Sequence, residues 1–244
     1  HGDGYRISGS KVFISGAGAT DLLVVFARTG GPGPKGVSTF AVPADAPGIR
    51  YGKLEHKMGW NSQPTRAISF DEVEVPESQR IGAEGEGFSI AMKALDGGRI
   101  NIATCSIGTA QAALERARQH LGTRKQFGQE LAQFQALQFR LADMLTELVA
   151  ARQMVRLAAW KLDTGSADAT AYCAMAKRYA TDAGFEVANQ ALQLHGGYGY
   201  TKEYPLERHV RDTRVHQILE GTNEIMRVIV ARAILREGAT EQLR

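Results

Sequence analysis

The spacing of apolar positions along this chain changes near residue 87. Before that point, short runs rich in β-branched and aromatic residues extend from Tyr5 to Ser15, Leu22 to Thr29, Val37 to Val42, Ile49 to Leu54 and Arg66 to Val75. Runs of this length and composition predict strands. Pro32, Pro34, Pro43, Pro47, Pro64 and Pro76, six of the seven prolines, punctuate the same stretch together with dense glycine, so a small antiparallel β-barrel or sandwich is expected. After Gly87, Leu137, Leu141, Leu145 and Leu148 recur at helical intervals, as do Ile225, Ile229 and Ala233. Main helices are predicted at roughly 96–121, 130–163, 167–194 and 222–236, with shorter pieces near 87–94 and 205–213. Gly122, Gly165 and Gly196 stand where helices should stop. The pattern therefore reads as an α+β chain of two domains, a β-domain over 1–82 and a four-helix-bundle domain over 83–244.

Composition is compatible with that division. The chain has 244 residues, 43% of them hydrophobic, enough to bury a sizeable core. Its net charge of +3 arises from 29 basic and 26 acidic residues spread without a basic block, so a nucleic-acid partner is not expected. No apolar run approaches the ~18 residues of a membrane-spanning helix, and Leu22 to Ala27 reads as a buried strand, so membrane insertion is not expected either. Cys105 and Cys173 fit neither a disulfide framework nor a metal motif; both are expected as small core residues in a reducing compartment. The chain opens His1-Gly2-Asp3-Gly4, with no initiator Met, secretion signal or transit peptide, and reads as a fragment.

Two glycine clusters, Gly16 to Asp21 and Thr29 to Gly36, invite a phosphate-loop reading. The first lacks the last glycine and following helix of a dinucleotide fingerprint, and the second lacks a Gly-Lys-Ser/Thr ending, so both are expected to be turns. There is no G-x-S-x-G elbow and no H-E-x-x-H pair. His209 and His216, near Glu207 and Asp212, match no metal spacing and are expected as solvated helix residues; no metal is expected. The stretch Val215-His216-Gln217-Ile218-Leu219-Glu220-Gly221-Thr222-Asn223-Glu224-Ile225-Met226-Arg227 is more informative. On one reading Thr222 simply N-caps a helix whose first turn favours acidic residues. On the other, Glu220 follows two large apolar residues, and a carboxylate kept from water becomes a base strong enough for an unactivated C–H proton.

His216 to Arg227 resembles the signature of the acyl-CoA dehydrogenase family, in which a Glu followed by Gly-Thr or Gly-Ser is the catalytic base. The similarity continues, in family order and spacing, through Arg124-Lys125-Gln126-Phe127-Gly128, Phe134-Gln135 and Gln193-Leu194-His195-Gly196-Gly197-Tyr198-Gly199. It implies a middle β-domain and a C-terminal four-helix bundle, and a preceding N-terminal helical domain that this sequence does not contain. It also implies FAD as cofactor. Phe13-Ile14-Ser15 resembles the segment along the flavin ring, and simple strand alternation puts Phe13 and Ser15 on one face. Arg124, Phe127, Phe134 and Gln135, with Gln193, Leu194, His195, Gly196 and Gly197, resemble contacts to the adenine and pyrophosphate of a neighbouring subunit's FAD. Thr222, Asn223 and Glu224 would touch the same cofactor.

By the same resemblance Asp96, Gly97, Gly98, Arg99, Gly221 and Arg232 are substrate contacts, and Glu220 is the base. Some family members carry that base at the position of Gly98, where glycine cannot serve. Taken singly, these residues also have plain structural readings: an edge strand, a surface arginine, core aromatics, a helix C-cap and, for Arg99, a helix-surface ion pair. The implied reaction is α,β-dehydrogenation of an acyl-CoA to its 2,3-enoyl-CoA. Gly59 to Arg66 and Gly97 to Ile102 are most similar to members acting on isobutyryl-CoA in valine breakdown, with 2-methylbutyryl-CoA as an alternative substrate. A noncatalytic flavoprotein-like scaffold is the alternative of a different class. Electron-transferring flavoprotein as acceptor, a homotetramer built from dimers, and a cytoplasmic (bacterial) or mitochondrial-matrix (eukaryotic) location complete the expectation.

Overall fold

A computed structural model describes residues 2–236. The chain divides into two compact units, one running to Ala94 and the other beginning at Leu95, so the division falls inside a continuous helix. The last residues of the expected 83–244 span, 237–244, lie outside the described residues.

The first unit carries two three-stranded antiparallel sheets. One has the order β1-β5-β4, from β1 (Gly4–Ser15), β5 (Thr65–Pro76) and β4 (Ile49–Tyr51). The other has the order β2-β3-β6, from β2 (Leu22–Arg28), β3 (Val37–Pro43) and β6 (Arg80–Ile81). Of the two forms expected, this is two separate sheets; no closed barrel forms among the described residues. Ile7, Leu23, Val25, Phe40, Val42, Ile68, Phe70, Val73 and Val75 pack into one core between them. In β5 the buried positions change parity, from Ile68 and Phe70 to Val73 and Val75. The register with β1 shifts at the same place, and Glu72 there has φ 53°. One extra residue lets both halves of the strand face the core. Ser8 fixes that bulge, donating from Oγ to Glu72 Oε1 at 2.6 Å and accepting from the Glu72 N–H at 3.2 Å. Both glycine clusters form turns and loops, after β1 and between β2 and β3.

The second unit is a helix bundle. Its long members are α1 (Gly87–Thr123), α2 (Gln135–Asp163), α3 (Ala169–His195) and α6 (Asn223–Ile234), joined by the short α4 (Gly197–Tyr200) and α5 (Leu206–Arg214). Buried residues recur at spacings of three and four: Ala103, Ile107, Ala110, Leu114, Ala117 and Leu121 on α1, and Met144, Leu148, Ala151, Val155 and Ala158 on α2. On α3 the stripe is Cys173, Ala176, Ala180, Ala183, Val187, Ala191 and Leu194. So many alanines allow close helix packing.

Several expectations are corrected. The predicted break between 94 and 96 is absent, because α1 runs unbroken through Asp96-Gly97-Gly98. Gly122 lies inside that helix, whereas Gly165 and Gly196 do follow α2 and α3. The predicted helix at 130–163 starts later. A hairpin precedes it, β7 (Lys125–Gln126) with β8 (Gln129–Glu130), closed by Phe127 (φ 54°) and Gly128 (φ 81°). Cys173 is buried as expected, but Cys105 is exposed. His216 is 1% exposed, not solvated, and its Nδ1 lies 3.1 Å from the buried Ser106 Oγ of α1.

Candidate active site

The chain between α5 and α6 must reverse within a few residues. A 3-10 turn at Val215–Gln217 leads to Ile218 and Leu219, whose N–H groups both donate to the Val215 carbonyl, at 2.9 and 3.0 Å. Glu220 then takes φ 56° and Gly221 φ 87°. Thr222 caps α6, its hydroxyl accepting from the Ile225 N–H at 3.5 Å, as the cap chemistry of the sequence suggests. A left-handed glutamate costs roughly 1 to 2 kcal/mol and persists only where its surroundings dictate it.

Those surroundings come from α3. Lys177 is fully buried and its Nζ donates to the Gly221 carbonyl at 2.8 Å and to Asn223 Oδ1 at 2.9 Å. Asn223 Nδ2 donates to Asp182 Oδ1 at 2.7 Å and to Thr181 Oγ1 at 3.0 Å, and Gln217 Nε2 reaches the same Asp182 oxygen at 2.9 Å. Lys177 and Thr181 share one face of α3 and Asp182 lies further round the same helix, so a single helix holds both sides of the turn. Burial pushes the Lys177 ammonium down to about 8, against the pull of Asp182 and Glu220.

The Glu220 carboxyl lies against the backbone of α1 at Gly98. A Cβ added there would stand 2.9 Å from Glu220 Cδ and overlap one carboxyl oxygen, so only glycine leaves this space. On either side of Gly97-Gly98, Asp96 and Arg99 form an ion pair at 2.7 Å, and Thr170 donates to the other Asp96 oxygen at 2.6 Å. Arg99 is thus in an ion pair, but a buried one and not on the helix surface as its plain reading had it: it is 5% exposed and its Nε has no hydrogen-bond partner. A buried, part-unsatisfied guanidinium is costly unless something else uses it. Arg232 lies exposed in the last turn of α6, about 15 Å along the helix from Thr222. Glu224 is exposed in the first turn of α6. Asn223, also expected at the cofactor, has a buried side-chain amide that is hydrogen-bonded to Lys177, Thr181 and Asp182.

A second group of expected residues meets in a cleft of about 540 Å³ between the end of α1, the hairpin and the end of α3. Arg124, Gln193, Leu194, His195, Gly196 and Gly197 line it, together with His120 and Tyr198. The exposed Arg124 guanidinium lies 5.5 Å over the Tyr198 ring. His195 is buried and stacks on His120 with ring centroids 4.3 Å apart; burial keeps both imidazoles below their usual range and hence neutral at pH 7. Phe127, exposed at the hairpin tip, meets Phe134 edge-on at 6.1 Å, and Gln135 begins α2 beside it. An accessible guanidinium beside flat rings and amides is a donor set that suits a dinucleotide's pyrophosphate and base.

In the first unit, Phe13-Ile14-Ser15 ends β1. The alternation expected there fails: between Lys11 and Ile14 two residues, Val12 and Phe13, oppose the single Ala67 of β5, and Phe13 has φ 56°. A bulge interrupts the pleat, so spacing alone no longer puts Phe13 and Ser15 on one face. Val12 and Phe13 are both largely exposed, an apolar surface of the kind a flat ring covers. Trp60, in the loop before β5, is likewise left-handed at φ 52°.

Lys177, His216, His120 and Tyr198 were missed as functional candidates. Lys177 did leave a signal, since it interrupts the alanine stripe of α3 four residues after Cys173 and three before Ala180, where a solvated lysine does not belong. Among the described residues no cluster of His, Cys, Asp or Glu could hold a metal, and no helix is long and apolar enough to cross a membrane.

Residues 85–235 match the profile of the acyl-CoA dehydrogenase C-terminal domain, and residues 1–73 that of the acyl-CoA dehydrogenase middle domain. The chain is 56% identical to the mitochondrial isobutyryl-CoA dehydrogenase of Bos taurus, over 96% of its own length and 56% of that relative. To the corresponding Dictyostelium discoideum protein it is 53% identical, over 97% and 57%. Butyryl-CoA dehydrogenase from Megasphaera elsdenii superposes with a TM-score of 0.94 at 44% identity, over 97% of this chain and 62% of that one. The chain thus spans less than two thirds of the length of these relatives.

Proposed function

This chain belongs to the acyl-CoA dehydrogenase family, and from that premise we propose that it carries the catalytic base and much of the cofactor site of an FAD-dependent dehydrogenase for short branched acyl-CoA thioesters, isobutyryl-CoA first. The observation that carries the reading is the Glu220 carboxyl, fixed in a left-handed turn and seated against a glycine that leaves room for nothing else. A base held this way spends no free energy on orientation when the α-carbon arrives. Glu220 takes the α-proton, and its own backbone N–H is a donor to the thioester carbonyl, where enolate-like charge develops. FAD, held by the residues named below, would supply the hydride acceptor for the β-hydrogen, and the product would be the 2,3-enoyl-CoA.

Arg99, with an unpaired Nε, and Gly97, Gly98, Gly221 and Arg232 belong to the substrate side of the proposal. Arg124, Phe127, Phe134, Gln135, Gln193, Leu194, His195, Gly196 and Gly197 hold the adenine and pyrophosphate end of FAD from a neighbouring subunit, with Thr222 and Glu224 nearby. Phe13, Ile14 and Ser15 border the flavin ring. The working assembly is a homotetramer of two dimers, its electrons pass to electron-transferring flavoprotein, and it works in the mitochondrial matrix or the bacterial cytoplasm according to source. The 1–82 and 83–244 division assigns the ring side to the first domain and the base to the second.

Similarity to butyryl-CoA dehydrogenase favours a second reading, an unbranched short-chain substrate. Flavin absorbance decides between them. With the FAD-loaded protein, isobutyryl-CoA is expected to bleach the flavin with a higher kcat/KM than butyryl-CoA, by about 10-fold per methylene-sized misfit, with 2-methylbutyryl-CoA a fair substrate. A preference for butyryl-CoA moves the assignment to the unbranched group, and no bleaching by any acyl-CoA leaves only the scaffold.

A further inference from the structure

We propose that Lys177 is the positioning residue of the Glu220 site, its ammonium holding the Glu220–Gly221 turn so that the base stays seated over Gly98. The inference rests on the reading of Glu220 as the base. Its own support is geometric. Lys177 is fully buried in the alanine-rich core stripe of α3, where an apolar side chain would pack at lower cost. Its two short hydrogen bonds both end on the turn, one on the carbonyl next to the base and one on the first residue of α6. The Gly221–Thr222 peptide, one residue past the base, is therefore tied to α3, and the left-handed φ of Glu220 is imposed from outside rather than by its own preference.

The charges around Lys177 come from every element packed on it. Asp182 on its own helix, Glu220 in the turn and Glu224 on α6 favour the ammonium; burial and Arg99 on α1 oppose it, and His216 beside the turn is held neutral. The balance at about 8 places loss of this proton within reach of ordinary assay conditions. Above that pH the amine remains but its attraction for the Glu220 carboxylate is gone, so the base is less firmly held.

The test is stopped-flow flavin reduction by isobutyryl-CoA in the holoenzyme, with Lys177→Met as the variant. We expect the limiting reduction rate to fall by about 100-fold, the cost of a misplaced catalytic group, while acyl-CoA affinity changes by less than about threefold. The wild-type rate should decline above a pH of about 8, and Lys177→Met should lack that decline. A wild-type limiting rate in Lys177→Met, or a variant that keeps the alkaline decline, overturns the proposal. Should Lys177→Met not fold, the wild-type profile decides alone: a decline near 8 supports the proposal and a flat profile through that region overturns it. Glu220→Gln separates the two readings. If it stays active, the base assignment fails and the positioning role with it; if it is inactive while Lys177→Met is not, only the role of Lys177 fails.

Discussion

Two adjacent glycines in α1 have opposite meanings. A Cβ on Gly97 would meet nothing within 4 Å, so Gly97→Ala should stabilise the helix by about 0.5 to 1 kcal/mol, read as a raised urea midpoint. A Cβ on Gly98 would meet the Glu220 carboxyl, the mobile end of a side chain. Gly98→Ala should therefore leave stability nearly unchanged but displace the base, lowering flavin reduction by about 10- to 100-fold. Wild-type reduction in Gly98→Ala would mean that the carboxyl works from another position. His216 gives a pH prediction. Burial holds its imidazole down to about 4 in the folded chain, well below an unfolded histidine. The unfolded state thus binds the extra proton between about 6.5 and 4, and stability falls as pH drops through that window, by up to about 3 kcal/mol. Urea unfolding at pH 7 and 5 should show the loss, and His216→Gln should reduce it; an equal loss in the variant would assign it to other groups. Nothing in the sequence could disclose this burial, because Ser106, its partner, lies 110 residues away.

At the scale of elements, the long helices were legible because their apolar residues repeat over many turns, as Met144 to Ala158 do on α2. The hairpin β7–β8 was not, since two-residue strands carry no period and its left-handed tip uses Phe127 where Asn or Gly would have signalled a turn. Nor was the continuity of α1 legible: Gly97-Gly98 reads as a break, yet the second glycine is demanded by a side chain more than a hundred residues later. The bulges in β1 and β5 were hidden for a similar reason, because one extra residue leaves the composition of a strand unchanged. The hairpin and the end of α3 together place Arg124 at the mouth of a cleft. Losing its charge-assisted bonds to a pyrophosphate should weaken FAD binding in Arg124→Ala by about 10- to 100-fold, measured by titrating apoprotein with FAD. Unchanged affinity would remove Arg124 from the cofactor site.

For the whole molecule, the family signature extends from the β-unit into the helical unit, and each unit packs its own hydrophobic core. The signature named Glu220 from sequence; the structure adds what surrounds it, a left-handed turn, a fully buried lysine and a glycine that leaves room for the carboxyl. In the proposed function all of this converges on one group, a carboxylate that takes a proton from carbon. Glu220→Gln preserves the shape and removes the base, so stopped-flow reduction by isobutyryl-CoA tests the account most directly. The expected result is a holoenzyme variant that still binds FAD and acyl-CoA but whose flavin reduction falls by several orders of magnitude, roughly 10⁴-fold or more. Retention of most of the wild-type rate would contradict the account.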